Sequence, residues 1–224
     1  MRREVRVAPP ARWLAALAAA VSVAAMDDQD HFTRVYAGGS PPWDRGKPDP
    51  ELIRVLDAGL LPGRTVLEFG CGYGDNAIEL ARRGYQVMAV DFVAQAVELA
   101  RRKAQAAKVK VDFRCADVVA LEFERPFDVL FDRGCYHHMR RADLAGFQGM
   151  LRRVTRAGSR WFCLAGNANQ KTDVGPPRVH EDEIRAELEP LFEILDLREV
   201  EVHNERTGTR VLFWAVLLQG RAEA

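Results

Sequence analysis

A glycine-rich segment, Glu68-Phe69-Gly70-Cys71-Gly72-Tyr73-Gly74-Asp75, has the residue types and spacing to hold a ligand. It lies between a predicted strand and a predicted helix, and an open parallel sheet binds ligands beyond the carboxyl ends of its strands. The glycines permit a tight turn and a close backbone approach. Asp75 stands where a dinucleotide fingerprint has its third glycine. Because a carboxylate at a helix start repels pyrophosphate, the segment predicts a nucleotide-like ligand with cationic groups.

Two acidic residues follow the next two predicted strands. Asp91 ends the second strand, 21 residues after Gly70, where a carboxylate accepts hydrogen bonds from ribose hydroxyls. Asp117 follows the third strand, where a side chain can accept from an adenine amino group. A single Asp after a strand is usually a turn former. Together with the glycine loop, these placements predict an adenosine-containing ligand.

The elements that must position these residues alternate between strand and helix. Apolar runs predict strands at 65–69, 86–91, 111–115, 127–132 and 160–165, with helices at 50–58, 76–83, 93–107, 142–155 and 181–189. Two further strands, 192–202 and 210–218, have only a short loop between them and should pair antiparallel. Five βα units predict a doubly wound, mostly parallel α/β sheet, closed here by a hairpin.

The bulk composition is that of one ordinary globular domain. The 224 residues include 32 basic and 32 acidic side chains, so the formal net charge is zero. A nucleic-acid partner normally requires a basic excess or a basic face, so none is expected. The four cysteines form neither a CxxC pair nor another metal-ligand spacing. We therefore expect reduced thiols and no metal site.

With these motifs the sequence resembles the class I S-adenosylmethionine (SAM)-dependent methyltransferases. The resemblance covers about residues 32–219 and rests on the E-x-G-x-G-x-G loop, Asp91, the Ala116-Asp117 step and the closing hairpin. It implies a Rossmann-like seven-stranded sheet of order 3-2-1-4-5-7-6 with strand 7 antiparallel, SAM as cofactor and S-adenosylhomocysteine (SAH) as product. It also implies that the cofactor is bound by Phe32, Tyr36, Trp43, Glu68, Gly70, Gly72, Asp91, Phe92, Asp117, Val118 and Arg133.

Three short segments narrow the resemblance. Residues 41–48 (PPWDRGKP), 132–134 (DRG) and 175–177 (GPP) are similar to segments of a group that comprises thiopurine, thiol/halide and tellurite-resistance methyltransferases. Substrates of that group range from thiols and halides to aromatic metabolites, so the resemblance implies in-line methyl transfer to a small molecule. Whether sulfur, oxygen or nitrogen is methylated stays open. A nucleotide-dependent oxidoreductase and a non-catalytic binding protein of the same fold are the alternatives.

Four residues at or just after the end of the fourth predicted strand are candidates for catalysis. Arg133 would hold the carboxylate of SAM by resemblance, or would favour the thiolate form of a thiol acceptor. His137 and His138 lie where an acceptor should enter, as bases for a hydroxyl or an amine, or simply as helix-capping or surface residues. Asp132 is placed to orient Arg133 or a histidine.

The first 30 residues precede the expected methyltransferase domain at 31–224. Four arginines lead into an apolar run at 13–25, which is formally similar to an export signal but too short to span a bilayer. The alternatives are an N-terminal helix with an alanine-rich face, or a true start at Met26. Because an exported enzyme would have no obvious supply of SAM, these two are favoured. We expect a cytoplasmic monomer or homodimer without stable membrane association.

Overall fold

The computed structural model describes residues 29–39, 41–171, 173, 175–205 and 208–222. The expected N-terminal extension lies outside these ranges, except for two residues at the start of helix α1 (29–37). The other helices are α2 (Pro50–Asp57), α3 (Asp75–Arg82), α4 (Ala94–Ala106), α5 (Tyr136–Val154) and α6 (Glu181–Leu188). The strands are β1 (Thr65–Phe69), β2 (Gln86–Asp91), β3 (Asp112–Cys115), β4 (Val129–Arg133), β5 (Arg160–Gly166), β6 (Phe192–Asn204) and β7 (Thr209–Gly220).

The seven strands form one sheet of order β3-β2-β1-β4-β5-β7-β6. Strands β1 to β5 run parallel, and β7 pairs antiparallel with both β5 and β6. The predicted topology is therefore confirmed, including the antiparallel seventh strand. The strand order reverses between β1 and β4, so the carboxyl ends of β1, β2 and β4 flank the crevice where such sheets bind ligands.

Two apolar clusters bury the sheet on both faces. One cluster includes residues of α2, α3 and α4, and the other includes residues of α5 and α6. Strand β5 is accordingly buried along its whole length after Arg160. Strands covered on both sides have near-continuous apolar sequences, and these runs allowed the strands to be predicted from the sequence. This packing holds the strand ends that carry the site.

Helix α5 begins earlier than the predicted bounds of 142–155. It starts at Tyr136 and has non-helical φ and ψ at Asp143, −156° and 89°. Oδ1 of Asp143 accepts the N–H of Gly146 at 2.9 Å, so Asp143 caps a second helical segment. The first segment is too short to show a helical repeat, so sequence reasoning missed it. It carries both candidate histidines.

The terminal hairpin is longer than predicted and reaches the segment that precedes α2. Nη1 of Arg45 donates to the carbonyl oxygen of His203 at 2.7 Å. Nζ of Lys47 lies 2.7 Å from Oε2 of Glu205. We call residues 41–48 the entry segment; these contacts tie it to the hairpin tip above the strand ends. No helix in the described ranges combines the length and apolarity that a bilayer-crossing segment needs.

Candidate cofactor and acceptor site

The glycine loop between β1 and α3 is held by the carboxylate at the end of β2. Asp91 accepts the backbone N–H of Gly72 through Oδ2 and that of Val93 through Oδ1, both at 2.9 Å. Gly70 and Gly72 have positive φ, which glycine adopts without strain. Burial raises the pKa of Asp91. Each carboxylate oxygen keeps a further lone pair, so the same side chain can accept a ribose hydroxyl.

Glu68 in β1 is a buried carboxyl with unused hydrogen-bonding capacity. It is 2% exposed, and Oε2 has no hydrogen-bond partner in the described part of the chain. The side-chain amide of Asn76 bonds to this carboxyl, and burial raises the pKa of Glu68 well above its usual range. The charged groups that raise its pKa further, Asp75, Asp91 and Asp132, are all acidic. A buried carboxyl in this setting suits a cationic ligand group.

Arg133, at the end of β4, is fixed by residues that precede the sheet. Its Nε donates to Oδ2 of Asp49 at 2.6 Å, and its Nη1 donates to the carbonyl oxygen of Trp43 at 3.1 Å. Its Cζ lies 5.8 Å from the ring centroid of Phe213, a cation–π contact. The side chains of Arg133 and Asp49 are 13% and 0% exposed, so the pair balances two buried charges.

A narrow cleft separates the entry segment from the glycine loop, and Arg133 lines it. The cleft offers a guanidinium for the carboxylate of SAM. Glu68 is buried in β1 just before the loop, and Tyr36 and Trp43 line the cleft with ring faces that suit a sulfonium. The residues present therefore fit the amino-acid end of SAM.

Helix α1, which we call the lid, places an aromatic side chain over the glycine loop. The hydroxyl of Tyr36 accepts the indole N–H of Trp43 at 3.2 Å. A Cβ built on Gly72 would lie 2.7 Å from that hydroxyl oxygen, so only a glycine leaves room for the lid here. The ring of Tyr36 also packs on Tyr73, with the centroids 5.2 Å apart.

Phe32 in α1 joins the cofactor side of the site to the acceptor side. Its ring packs edge to face on Trp43, Phe92 and His138, at centroid distances of 5.3, 5.7 and 5.0 Å. Phe92 follows β2, whereas His138 belongs to α5. We call Phe32, Trp43, Phe92 and His138 the aromatic box, because the Phe32 ring contacts each of the other three.

The two histidines have different environments. His137 is 1% exposed, and its Nδ1 accepts the N–H of Gly166 at 2.9 Å. Burial lowers the pKa of His137, and this hydrogen bond assigns the proton of the neutral ring to Nε2. In this tautomer neither nitrogen of His137 has a free lone pair, which favours the structural interpretation of His137 over a role as base. His138 is partly exposed, its ring centroid 4.9 Å from that of His137.

Asp132 does not orient Arg133 or a histidine, as the sequence had suggested. Its Oδ2 accepts the N–H groups of Cys135 and Tyr136 at 3.0 and 2.9 Å, and its Oδ1 accepts the indole N–H of Trp161 at 2.9 Å. It is fully buried, and burial raises its pKa to about 6. These contacts assign Asp132 to the start of helix α5, and a catalytic role for it stays a prediction.

As far as the structure describes the chain, Asp117 and Val118, the residues predicted to bind adenine, make no hydrogen bond to the glycine loop or to Arg133. Asp117 is exposed, and its Oδ1 accepts the N–H of Val119 at 2.9 Å. Val118 is buried in the apolar cluster under α5. The N–H of Ala116 donates to the carbonyl oxygen of Asp91 at 3.1 Å, which holds this segment beside the end of β2. The adenine role of Asp117 and Val118 stays a prediction.

Asp75 was expected to repel phosphate at the start of α3. The structure pairs it with Lys103 of α4, so its negative charge is largely balanced. The preference for a cationic ligand therefore depends on Glu68 instead, which has no such partner.

Sequence reasoning missed three residues of the site. Asp49 caps α2 through Oδ1 and binds Arg133 through Oδ2. The side-chain oxygen of Asn76 accepts the N–H of Asp49 at 2.8 Å and so links the entry segment to the Glu68 carboxyl. Phe213 comes from β7, and nothing local marks it. The Asp-Pro pair at 49–50 indicates a helix cap, but it does not indicate that Asp49 also binds Arg133.

Comparison with known proteins agrees with this geometry. Residues 66–158 match the model of the methyltransferase domain family. A 2-heptyl-1-hydroxyquinolin-4(1H)-one methyltransferase of Mycobacteroides abscessus is 27% identical over 191 residues, which cover 80% of this chain and 84% of that protein. An uncharacterised methyltransferase of Schizosaccharomyces pombe is 32% identical over 121 residues, 54% of this chain and 83% of that protein.

A solved structure concerned with the conversion of a disulfide bond into a thioacetal group during echinomycin biosynthesis is also similar. It has a TM-score of 0.76 and 27% identity, covering 88% of this chain and 94% of that one. A seven-stranded sheet of this order, with a glycine loop after β1 and an acid after β2, is typical of enzymes that bind a nucleoside cofactor. The chain belongs to the class I SAM-dependent methyltransferases.

Proposed function

We propose that the protein transfers the methyl group of SAM to a hydroxyl oxygen of a planar aromatic small molecule, with His138 as the base. The observation that carries this proposal is the aromatic box. His138 is a partly exposed imidazole whose ring is 5.0 Å from Phe32, which also contacts Phe92 on the cofactor side. A flat acceptor in this box would lie between the methyl donor and a proton acceptor.

The cofactor would be held along the edge of the sheet. Asp91 would accept the ribose hydroxyls, and Asp117 and Val118 would contact the adenine. Arg133 would bind the carboxylate and Glu68 the ammonium group, while Tyr36 closes over the loop. SAM brings an already activated methyl group, so these residues mainly supply alignment and exclusion of water. We place the reaction in the cytoplasm, with the protein acting as a monomer or homodimer.

An oxygen acceptor explains the acceptor side better than a thiol does. A hydroxyl must lose its proton during transfer, which a positioned base accelerates by about 10²- to 10⁴-fold. A thiol needs only a nearby cation, because its pKa is about 8.5. Arg133 is the cation at the strand ends, but Asp49 balances its charge at 2.6 Å. The similarity to a methyltransferase of a hydroxyquinolinone supports the same choice.

Methylation of sulfur is the second candidate. It is favoured by the similarity to the structure from the conversion of a disulfide bond into a thioacetal group. It would need alignment of the acceptor sulfur but no base, so His138 would then serve only as a ring of the aromatic box.

The two candidates are distinguished with a matched pair of acceptors. Calorimetric titration with SAM and SAH first establishes the cofactor. Transfer of a labelled methyl group is then measured to 2-naphthol and to 2-naphthalenethiol, which differ only in the nucleophilic atom, and to a 1-hydroxyquinolin-4(1H)-one. We expect methylation of the oxygen acceptors, with a loss of about 10²-fold or more in His138→Asn. Methylation of the thiol alone, unaffected by His138→Asn, would establish the sulfur candidate.

A further inference from the structure

Four carboxyl groups lie around the carboxyl ends of β1, β2 and β4, and Glu68 differs from the other three. Asp91 and Asp132 each accept two backbone N–H groups, and Asp75 pairs with Lys103. Oε2 of Glu68 is buried and has no partner among the described residues. Among the residues that the structure describes, Glu68 is therefore the one carboxyl of these four with a buried oxygen atom that has no hydrogen-bond partner.

We propose that binding of the cofactor's ammonium group at Glu68 releases one proton to solvent, so that the carboxyl is neutral in the ligand-free protein and ionised in the complex. The inference rests on the proposed cofactor site. It concerns the proton balance of binding, which the choice of acceptor does not affect. The ligand class that triggers the release is a nucleoside thioether or sulfonium that ends in a zwitterionic amino acid.

The groups that face Glu68 explain why it would hold a proton. They are Asp75 of α3, Asp91 of β2 and Asp132 of β4, together with the thiol of Cys71 in the loop. None of them is a cation, and burial itself disfavours the charged form. Asn76 supplies the one hydrogen bond that favours the carboxylate. Lys103 balances Asp75, whereas an ammonium group brought by a ligand would supply a positive charge to Glu68 itself.

The position of Asn76 connects Glu68 to the cleft. Its side-chain oxygen accepts the N–H of Asp49 at 2.8 Å, and Asp49 in turn binds Arg133. Glu68, Asn76, Asp49 and Arg133 therefore form one chain of hydrogen bonds. The ammonium group of the cofactor would bind Glu68 at one end of it, and the carboxylate would bind Arg133 at the other. On binding, the O–H bond of the Glu68 carboxyl breaks and the proton passes to the buffer. The ammonium group keeps its own protons and donates one of them toward the new carboxylate.

This step predicts how affinity depends on pH. Where Glu68 is protonated in the free protein, the dissociation constant of SAM or SAH falls by up to tenfold for each unit rise in pH. The α-amino group of the ligand stays charged below its own pKa of about 7.7 to 8.0. A series from about pH 5.5 to pH 7 therefore reports the protein group. 5′-Methylthioadenosine keeps the adenosine and the thioether but lacks the amino acid, so its affinity should not change.

The test is calorimetric titration of the full chain at about pH 6.5 in buffers with different ionisation enthalpies, which counts the protons released. We expect net proton release on binding of SAM and of SAH, and none on binding of 5′-methylthioadenosine. Glu68→Gln keeps the size of the neutral carboxyl, and SAH binding to this variant should release no proton and show no pH dependence. If the Glu68→Gln variant does not fold, the comparison of SAM, SAH and 5′-methylthioadenosine on the wild type is still a sufficient test.

Each other outcome contradicts the inference. Equal release with 5′-methylthioadenosine would assign the proton to the adenosine side, where Asp91 is the obvious source. Release with SAM but not with SAH would assign it to the sulfonium. Undiminished release in a folded Glu68→Gln variant would exclude this residue. If the folded protein binds neither SAM nor SAH, the proposed function itself fails, which is a separate result.

Discussion

Arg133 and Asp49 are 84 positions apart in the chain, yet Nε of the arginine lies 2.6 Å from Oδ2 of the aspartate. The other carboxylate oxygen of Asp49 accepts the N–H of Glu51 at 2.9 Å and caps helix α2. One side chain therefore begins a helix and fixes the cation that lines the cofactor cleft. This double use ties the entry segment to the end of β4.

Asp49→Asn separates the two uses of this side chain. Asparagine caps a helix about as well as aspartate does, so α2 should keep its start. Arg133 would lose its counter-charge, and breaking a buried pair in this way costs about 3 to 5 kcal/mol. We expect a lower free energy of unfolding and about tenfold weaker SAH binding, measured by urea denaturation and calorimetry. Asp57→Asn removes an exposed pair with Arg83 from the same helix and should change both by little.

Gly72→Ala tests the contact between the lid and the glycine loop. The new methyl group would lie 2.7 Å from the Tyr36 hydroxyl oxygen, at a φ of 52°. We expect loss of SAH binding and a change in Trp43 fluorescence. Gly59→Ala is the matched control, because its φ is 66° and a Cβ there meets nothing within 4 Å. It should show only the backbone strain, about 1 to 2 kcal/mol.

Adding Tyr36→Phe to Gly72→Ala tests whether the Tyr36 hydroxyl group causes the loss of binding. Tyr36→Phe removes the oxygen atom that the alanine methyl would strike, so the double variant should recover part of the SAH affinity lost in Gly72→Ala. If Tyr36→Phe restores nothing, the lid does not rest on Gly72 and the strain lies in the loop alone.

The sequence was sufficient for the sheet and the loop because both leave local signals. Apolar runs of strand length and a G-x-G-x-G turn do not depend on distant partners. The histidines were located but not distinguished, because burial of His137 depends on Gly166 of β5, 29 positions away. The role of Asp132 was misjudged for a similar reason: its partner Trp161 is on a neighbouring strand. Long-range hydrogen bonds are what a single sequence does not reveal.

His137 and His138 should respond differently to substitution. His137→Leu leaves the N–H of Gly166 without an acceptor in a buried place, which costs about 1 to 3 kcal/mol. It should lower stability and leave the shape of the pH–rate profile unchanged. His138→Asn should keep the wild-type stability. Its pH–rate profile with 2-naphthol should lack the part in which the rate depends on deprotonation of the base. Both properties are measured on both variants; loss of that part of the profile in His137→Leu would return that residue to the catalytic role.

Asp132 should make the stability of the fold depend on pH in an unusual direction. Burial raises the pKa of this carboxyl from 3.8 to about 6, so the folded state binds its proton more tightly than the unfolded state. Its contribution to stability is therefore complete below about pH 4 and is lost as the pH rises through about 6. We expect the free energy of unfolding of the wild type, relative to Asp132→Asn, to fall by about 3 kcal/mol over that window.

Urea denaturation at steps between pH 4 and pH 7.5 measures this difference, and subtracting the variant removes other titrating groups. Asp128→Asn is a control of opposite sign, because the backbone N–H groups of Arg64 and Thr65 lower the pKa of Asp128. For that pair, the wild-type advantage should shrink only at the acid end, as the pH falls through the lowered pKa. A wild-type advantage over Asp132→Asn that stays flat or grows from pH 4 to 6.5 would mean that the carboxyl is ionised in the fold. The Asp132 carboxyl that accepts the N–H groups of Cys135 and Tyr136 would then be negatively charged in the folded state.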